Sequence, residues 1–528
     1  MPLLDVTPLV RLQDEFRLSM KALLAALCQD LDQQYTKTAQ SLSLPVTYFR
    51  FLGQSIDQEQ YIHWKVVGWL EALNDLVYFI DLLQQYQAES DRGEFAKQLF
   101  ADCQEKFFEN SYLDDLFPRS LPHASGLEQR LHRLCERLAQ DVTQESLFLV
   151  PGFPSEWVRT QKLSAWHVDG DLSRNYERAE LDGTIAIGTA GDHVEASAAS
   201  KKRLARTDGR CTFVVEPGGM SIVIGRTRET LYILRNRQVT WHWSHRPAVV
   251  LSQRSATPPT VGSTLVYGKD RQPRAVVRTD PKQVNRISRA WGIIREAWPK
   301  GYDVLSLLTS RIVPLKAKGV VSFSYRHRPA LSFINCFDRD NLDLIDDLIH
   351  ENSHHHLNLL LRKHVLYHGD HNQQIFYSPW RRSLRPVRGI LHATFTFTMG
   401  AMLFGRLSAW GARDKGRRVK GKKRSIRSDI QLTKAQLLRA RFRCFEELES
   451  VRYSIQDLEY ADRHLGWLTG SGRRLVGQLA DAISKIERSI EPLRRQVLHS
   501  KFGPSLRRHV EELRKARLTY GPVRLRKT

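Results

Sequence analysis

The sequence is poor in cysteine and contains no cysteine pair. None of its six cysteines lies in a CxxC motif or close to another one, and they occupy positions Cys28, Cys103, Cys135, Cys211, Cys336 and Cys444. A disulfide framework and a cysteine-ligated zinc site are therefore not indicated. This usage favours a protein of a reducing compartment.

The sequence also lacks a long hydrophobic run and a secretory signal. Its most apolar stretch, residues 390–405, is shorter than a membrane span and contains His392. The first residues lack a cationic segment followed by an apolar one, which a signal peptide would need. We therefore expect a soluble, cytoplasmic protein with no membrane partner.

Basic residues outnumber acidic ones, and their excess is uneven along the chain. The sequence holds 80 Lys and Arg against 57 Asp and Glu, a net charge of +23. Residues 1–150 hold 13 basic and 22 acidic side chains, whereas residues 401–528 hold 31 and 13. Such an excess suggests an anionic partner, and it is densest behind residue 400.

Hydrophobic periodicity predicts a mainly helical α+β protein without internal repeats. Short runs rich in Val, Ile, Thr and Tyr, among them AVVLS at 248–252, predict about eight antiparallel strands in one part of the chain. We predict an acidic helical domain over 1–150, a β-rich region over 151–280, a core region over 281–410, and a basic loop with a C-terminal helical bundle over 411–528.

The core region has a helix–hairpin–helix pattern. Helical periodicity extends from Val284 to Leu315, and residues 318–337 predict a two-stranded hairpin that turns at HRP. The next helix begins near Asp340 or Asn341, which are good N-cap residue types, and it runs through LRKH.

This second helix carries the sequence His350-Glu351-Asn352-Ser353-His354, an HExxH motif. The spacing places both imidazoles on one face of the helix, one turn apart, so that both could reach one metal ion. An HExxH helix beside a strand pair is a zincin-like arrangement. An accidental HExxH is the alternative in a chain with 19 histidines.

A zinc peptidase is the default interpretation of such a motif, with Glu351 as the general base. The usual third ligands are missing, however. Leu357 and Leu360 stand where a metzincin has glycine and histidine, and no glutamate occurs between Glu351 and Glu446. The peptidase therefore stays open as an alternative without its usual ligand set.

His392 is a candidate for a third imidazole. It lies in an apolar, helix-compatible stretch about forty residues after the motif, far enough for a second helix to fold back. The alternative is a hydrogen-bonded core histidine. We expect His355 and His356 to lie on other faces of the HExxH helix.

Four arginines follow the motif, at Arg381, Arg382, Arg385 and Arg388, with Tyr377 just before them. A guanidinium binds carboxylate bidentately, so an arginine beside an imidazole-ligated metal could hold a small dicarboxylate. Oxygenases that use Fe(II) and α-ketoglutarate need such a site. The alternative is a structural turn whose arginines cap helices or pair with Asp343, Asp346 or Asp347.

The core region resembles the HExxH-motif peptide-modification proteins encoded beside ribosomal peptides, some of which are α-ketoglutarate-dependent peptide β-hydroxylases. The matching segments are SRIVPL (310–315), VSFSY (321–325), ALSFI (330–334), LIHENSH (348–354), YSPWRRSLRP (377–386) and GILHA (389–393). This resemblance covers roughly residues 280–400 and does not reach the β-rich region or the basic tail.

The resemblance implies His350, His354 and His392 as Fe(II) ligands, with zinc as the alternative metal. It implies Arg385 or a neighbouring arginine as the partner of the α-ketoglutarate carboxylate, and Glu351 as a residue that orients the site. The activity that the resemblance implies is Fe(II)- and α-ketoglutarate-dependent β-hydroxylation of side chains in a ribosomally made precursor peptide.

The basic run from Arg413 to Arg427 contains nine Lys and Arg. We expect a solvated loop, and a nucleic-acid partner is not expected because the run lacks interleaved aromatics. A peptide with an acidic leader could be attracted by the same charge. The amphipathic helices after the run are expected to form a core or a homodimer. A non-catalytic nucleic-acid-binding or scaffold protein remains the second alternative.

Overall fold

A computed structural model describes residues 3–56, 58–107, 112–147, 280–369, 372–413 and 432–521, together with short strands between residues 163 and 276. The chain divides into two compact units. One consists of Met1–Asp14, Gln253–Gly262 and Thr279–Thr528, and the other of Glu15–Ser252 and Ser263–Arg278. The fold is α+β and mainly helical, as predicted.

The first helices of the chain form a continuous hydrophobic core. They are α1 Val6–Gln33, α2 Thr36–Ser41, α3 Val46–Ser55, α4 Trp64–Ala88, α5 Arg92–Lys106, α6 Tyr112–Leu116 and α7 Leu127–Leu147, with a 3-10 turn at Gln58–Ile62. Trp69 is fully buried in this core, and its indole N–H donates to the Val142 carbonyl at 2.9 Å. The predicted acidic region is thus helical throughout its described residues.

The next region supplies eleven short strands. They are β1 Leu163–His167, β2 Asp171–Ser173, β3 Ala186–Ile187, β4 Val194–Glu195, β5 Cys211–Glu216, β6 Gly219–Ile224, β7 Thr227–Arg235, β8 Gln238–Trp241, β9 Thr260–Val261, β10 Leu265–Tyr267 and β11 Pro273–Val276.

Six of these strands form one sheet in the order β2-β1-β5-β6-β7-β8. Its pairings are antiparallel except β1 with β5, which is parallel. The prediction of antiparallel strands alone is therefore wrong at this pairing, because the long stretch between β1 and β5 permits the crossover that a parallel pair needs. The predicted strand at residues 248–252 lies outside the described residues.

The unit that contains Thr279–Thr528 is built around a four-stranded sheet and a group of long helices. Its helices are α8 Pro281–Ala297, α9 Pro299–Leu308, α10 Asn341–Lys363, α11 Val387–Arg413, α12 Lys434–Arg463, α13 Gly470–Ile490, α14 Arg494–Leu498 and α15 Gly503–Tyr520, with a 3-10 turn at Glu491–Leu493. Its further strands are β12 Arg311–Leu315, β13 Phe323–Ser324, β14 Leu331–Asn335, β15 Phe376–Ser378 and β16 Ser383–Arg385.

The predicted hairpin is confirmed: β13 and β14 are antiparallel, with Phe323 opposite Phe333. The predicted helix up to Leu315 is wrong at its end, since residues 311–315 form strand β12, parallel to both β14 and β9. Ile312 and Val313 are fully buried, and a short buried run with β-branched residues fits a central parallel strand better than a helix.

The basic run that was expected to be a solvated loop falls largely in residues 414–431, outside the described residues. After it, GSG at 470–472, Pro492 and GP at 503–504, which in the sequence indicate breaks between helices, coincide with the starts of α13, the 3-10 turn and α15. No helix among the described residues is long and apolar enough to span a membrane.

Helix α10 is attached to the sheet by a buried polar cluster. The Asn352 side-chain oxygen accepts hydrogen bonds from the Thr309 hydroxyl at 2.8 Å and the Ser332 hydroxyl at 2.9 Å. Its amide donates to the Leu348 carbonyl at 2.7 Å. Because these groups are excluded from water, each depends on its partner.

We expect Asn352→Ala to destabilise this unit by roughly 2–4 kcal/mol, because two buried hydroxyls lose their acceptor. The measurement is the melting temperature, with the exposed Asn372→Ala as the matched control. An equal melting temperature for both variants would contradict this role of Asn352.

Candidate histidine site

The HExxH motif lies in the middle of α10, whose start is fixed by a capping box. The Asp340 carboxylate accepts from the backbone N–H groups of Leu342 and Asp343, and the Asp343 carboxylate accepts from the N–H of Asp340 at 2.9 Å. Such a cap satisfies donors that a helix start leaves unpaired. The predicted helix start is confirmed, with Asp340 as the N-cap.

The three predicted histidines lie side by side. The ring centroids of His350 and His354 are 5.0 Å apart, and the ring of His392, on α11, is 6.1 Å from that of His354. All three side chains are partly exposed, whereas their neighbours His355 and His356 are buried. Residues about forty positions apart in sequence are thus brought into one cluster, which we call the histidine site.

The environment favours the neutral form of these imidazoles. Burial lowers the pKa of His350 and lowers that of His354 well below its usual value; the neighbouring histidines lower the latter further. Burial lowers the pKa of His392 to about 4, and Arg326 and Arg388 add to this effect. Neutral imidazole is the form that binds a metal ion.

The donor chemistry of the histidine site suits a divalent transition metal, but its geometry does not yet form a coordination sphere. No three His, Cys, Asp or Glu side chains within the described ranges are grouped so that they could hold a metal ion. His354 neighbours both other rings, so metal binding would require the imidazoles to turn toward a common point.

Glu351 lies beside the histidines and is turned toward the hairpin. Its carboxylate accepts a hydrogen bond from the Ser324 hydroxyl on β13 at 2.9 Å. Burial raises the pKa of Glu351 to about 7, and Asp347 also raises it, while Ser324 and Arg381 lower it. A carboxyl group with such a pKa can accept or donate a proton near neutral pH.

His355 and His356 lie on other faces of α10, as expected. The Ser332 hydroxyl donates its single proton to Asn352, so the contact of 2.9 Å with the His355 ring is a bond donated by the imidazole N–H. The ring of His356 packs edge-on against Phe395, with centroids 5.0 Å apart. Both side chains belong to the packing of α10.

Two of the predicted arginines act on the histidine site. The charge of Arg381 lowers the pKa of both His350 and Glu351. The charge of Arg388 lowers the pKa of His392. Arg326, in the turn between β13 and β14, acts on His392 in the same way and was not among the predicted residues.

The other predicted co-substrate residues have contacts elsewhere. Arg382 pairs with Glu512 of α15 at 3.1 Å, and the ring of Tyr377 stacks on Tyr520 with centroids 5.4 Å apart. The side chain of Arg385 folds back over Gly389. These contacts attach the β15–β16 hairpin to the last helix, and the predicted role of Arg382 and Tyr377 in co-substrate binding stays a prediction.

The carboxylates of α10 do not pair with these arginines, which was the structural alternative. Asp343 pairs with Arg439 at 3.2 Å, Asp346 with Arg443 at 2.9 Å, and Asp347 with Arg339 at 3.5 Å. Two of the partners, Arg439 and Arg443, come from α12, whose contact with α10 has no local signal in the sequence.

Two stacked aromatic rings, those of Phe397 and Trp380, lie at one side of the histidine site. The ring of Phe397, on α11, lies 4.8 Å from that of His350, and Trp380 stacks on Phe397 with centroids 4.3 Å apart and planes at 5°. The indole N–H of Trp380 donates to the Glu447 carboxylate at 2.9 Å. Burial raises the pKa of Glu447 to about 8, while Arg443 lowers it.

No protein-family model matches this sequence, and no curated protein is significantly similar to it.

The pKa of Asp347 gives a test of the electrostatics around α10. Burial raises this pKa to about 6, although the Ser322 hydroxyl and Arg339 oppose the shift. Because the carboxyl group binds its proton more tightly in the folded protein, stability falls as pH rises from about 4 to about 6.

We expect Asp347→Asn to remove this loss and raise the melting temperature at pH 8 by a few degrees, for a gain of about 2 kcal/mol. At pH 4 the variant and the native protein should melt together. The matched control is Asp303→Asn, an exposed aspartate on α9. A pH-independent difference between Asp347→Asn and the native protein would refute the assignment.

Proposed function

We propose that the protein is an Fe(II)- and α-ketoglutarate-dependent hydroxylase of a ribosomally made precursor peptide, acting at the histidine site. The reaction would consume the peptide, oxygen and α-ketoglutarate, and yield the hydroxylated peptide, succinate and carbon dioxide. One oxygen atom enters a carbon–hydrogen bond of the peptide and the other enters succinate. The oxidising chemistry would come from the bound metal and co-substrate.

The observation that carries this proposal is the adjacency of three neutral imidazoles from two helices, with a cation beside them. His350, His354 and His392 would hold the metal, since no other histidine of α10 is both partly exposed and next to His392. A ligand set of neutral nitrogens leaves the metal its positive charge, which favours binding of an anionic chelator such as a keto acid.

Arg381 is the arginine best placed to hold the distal carboxylate of the co-substrate. Its charge reaches both His350 and Glu351, whereas Arg382 is paired with Glu512. The Glu351 carboxylate accepts a hydrogen bond from Ser324. It would orient the ligand that is bound next to His350, and would exchange a proton with that ligand.

A zinc peptidase is the second candidate, and Glu351 is the observation in its favour. A buried carboxyl group with a pKa of about 7 beside two histidines is suited to take a proton from water. In that case peptide would be cleaved without α-ketoglutarate, and its mass would increase by one water shared between two fragments.

The first test loads the full-length protein with Fe(II) under anaerobic conditions, then adds oxygen, α-ketoglutarate and a precursor peptide encoded near the gene. We expect succinate to form and the peptide to gain one oxygen atom, as measured by mass spectrometry. His350→Ala, His354→Ala and His392→Ala should each weaken Fe(II) binding by at least about 100-fold, more than changes outside a ligand set do.

The matched control for these variants is His368→Ala, an exposed histidine beyond α10. Cleavage of the peptide without α-ketoglutarate would support the peptidase instead. Absence of stoichiometric metal binding, or unchanged affinity in all three variants, would overturn both enzyme proposals.

The second test compares Arg381→Ala with Arg382→Ala. Loss of a charge-assisted contact should raise the KM for α-ketoglutarate by about 10- to 100-fold in Arg381→Ala. Arg382→Ala removes an exposed ion pair and should change this KM little. Equal KM values for the two variants would assign the co-substrate carboxylate to another cation, such as Arg388 or Arg326.

A further inference from the structure

The HExxH histidine that begins the motif is connected to the C-terminal helices by an unbroken series of contacts. His350 packs on Phe397, Phe397 stacks on Trp380, and Trp380 donates its indole N–H to Glu447. The three residues beyond His350 come from three separate elements: helix α11, the turn between β15 and β16, and helix α12.

The Trp380–Glu447 contact is directional as well as close. The planes of Trp380 and Phe397 differ by 5°. Such a stack does not by itself fix the rotation of the Trp380 ring within its own plane. The hydrogen bond of 2.9 Å to Glu447 removes that freedom. Glu447 is itself buried, with 1% of its surface exposed, so its carboxylate cannot turn toward solvent.

Arg443 holds Glu447 in place and returns the series to α10. Its guanidinium pairs with Glu447 at 2.6 Å and with Asp346 at 2.9 Å. Asp346 precedes His350 by one helical turn, so both lie on the same side of α10. The series of contacts therefore runs from His350 through Phe397, Trp380, Glu447 and Arg443 to Asp346, one turn before His350 on the same helix.

We propose that Trp380 and Glu447 are positioning residues for the proposed reaction, which hold the His350 imidazole through Phe397, and that Arg443 fixes this pair relative to α10. The inference rests on the proposed function only in treating His350 as a ligand. The orientation of its ring is a property of the protein without metal and can be measured separately.

The imidazoles of the histidine site must turn together to bind a metal, so the free energy of binding depends on how many orientations each ring can adopt. The packing of Phe397 against His350, with Phe397 held through Trp380 and Glu447, limits His350 to few orientations. His354 and His392 are not in contact with Phe397 or Trp380 in this series. The positioning effect should therefore fall on His350 and not on the other two histidines.

The test uses two conservative variants in the full-length protein. Trp380→Phe keeps an aromatic ring on Phe397 and removes the N–H, whereas Glu447→Gln keeps a polar side chain and replaces the carboxyl oxygen that lies against Arg443. The matched controls are Trp467→Phe, a buried tryptophan that packs on Phe376, and Asp457→Asn, a buried carboxylate of α12 that pairs with Arg517.

Two readouts separate positioning from general damage. The first is the rate at which diethyl pyrocarbonate modifies each histidine of the metal-free protein, followed by mass spectrometry of peptides. We expect the rate at His350 to rise relative to His354 and His392 in both variants and in neither control. The second is Fe(II) affinity, which should fall by about 10- to 100-fold in both variants.

The modification rate decides the inference even if the protein binds no metal. A faster rate at His350 alone supports positioning, whatever the reaction proves to be. An unchanged rate at His350 in the folded Trp380→Phe protein overturns it, and so does an equal rise at all three histidines. If Glu447→Gln lowers the melting temperature so far that the protein unfolds, Trp380→Phe alone decides between these outcomes.

Discussion

The unit that contains α10 depends on one constraint, which is the burial of a polar helix. α10 is enclosed on most of its circumference although it carries Asn352, three aspartates and four histidines. Most of its polar groups then find a partner in what packs against the helix, whereas the buried ring nitrogens of His356 have none among the described residues. Thr309 and Ser332 supply hydroxyls for Asn352, β13 supplies Ser324 for Glu351, and α12 supplies arginines for Asp343 and Asp346. The arrangement of the surrounding elements follows from these demands, and the exposed remainder of α10 is the histidine site.

How much of this could be predicted from sequence depends on the range of the interactions involved. The prediction of where α10 starts is confirmed because a capping box is local and Asp340 carries its signal directly. The prediction of the hairpin before α10 is confirmed for the same reason. Residues 311–315 were assigned to a helix because a five-residue apolar run does not reveal its period, and only the parallel neighbours of β12 decide the matter.

At the histidine site, local spacing was enough to predict that His350 and His354 lie on one face of the helix. The apolar stretch around His392 and the resemblance to a family suggested His392, whose ring lies next to that of His354. The arginines show the limit of this reasoning. Four similar residues in eight positions point in different directions because β15 and β16 form a hairpin, whose turn sends Arg381 and Arg382 to different neighbours. Arg443 and Glu447 could not be found, since they meet α10 and the hairpin only through tertiary packing.

The attachment of the β15–β16 hairpin to α15 has a consequence for the order of folding during synthesis. Arg382 and its partner Glu512 are separated by 130 residues, and the separation between Tyr377 and Tyr520 is larger still. At roughly 5–20 residues per second, the hairpin leaves the ribosome on the order of 10 s before the helix that secures it. The N-terminal helices can therefore be complete while the β15–β16 hairpin, which carries Arg381 in its turn, is not yet attached to α15.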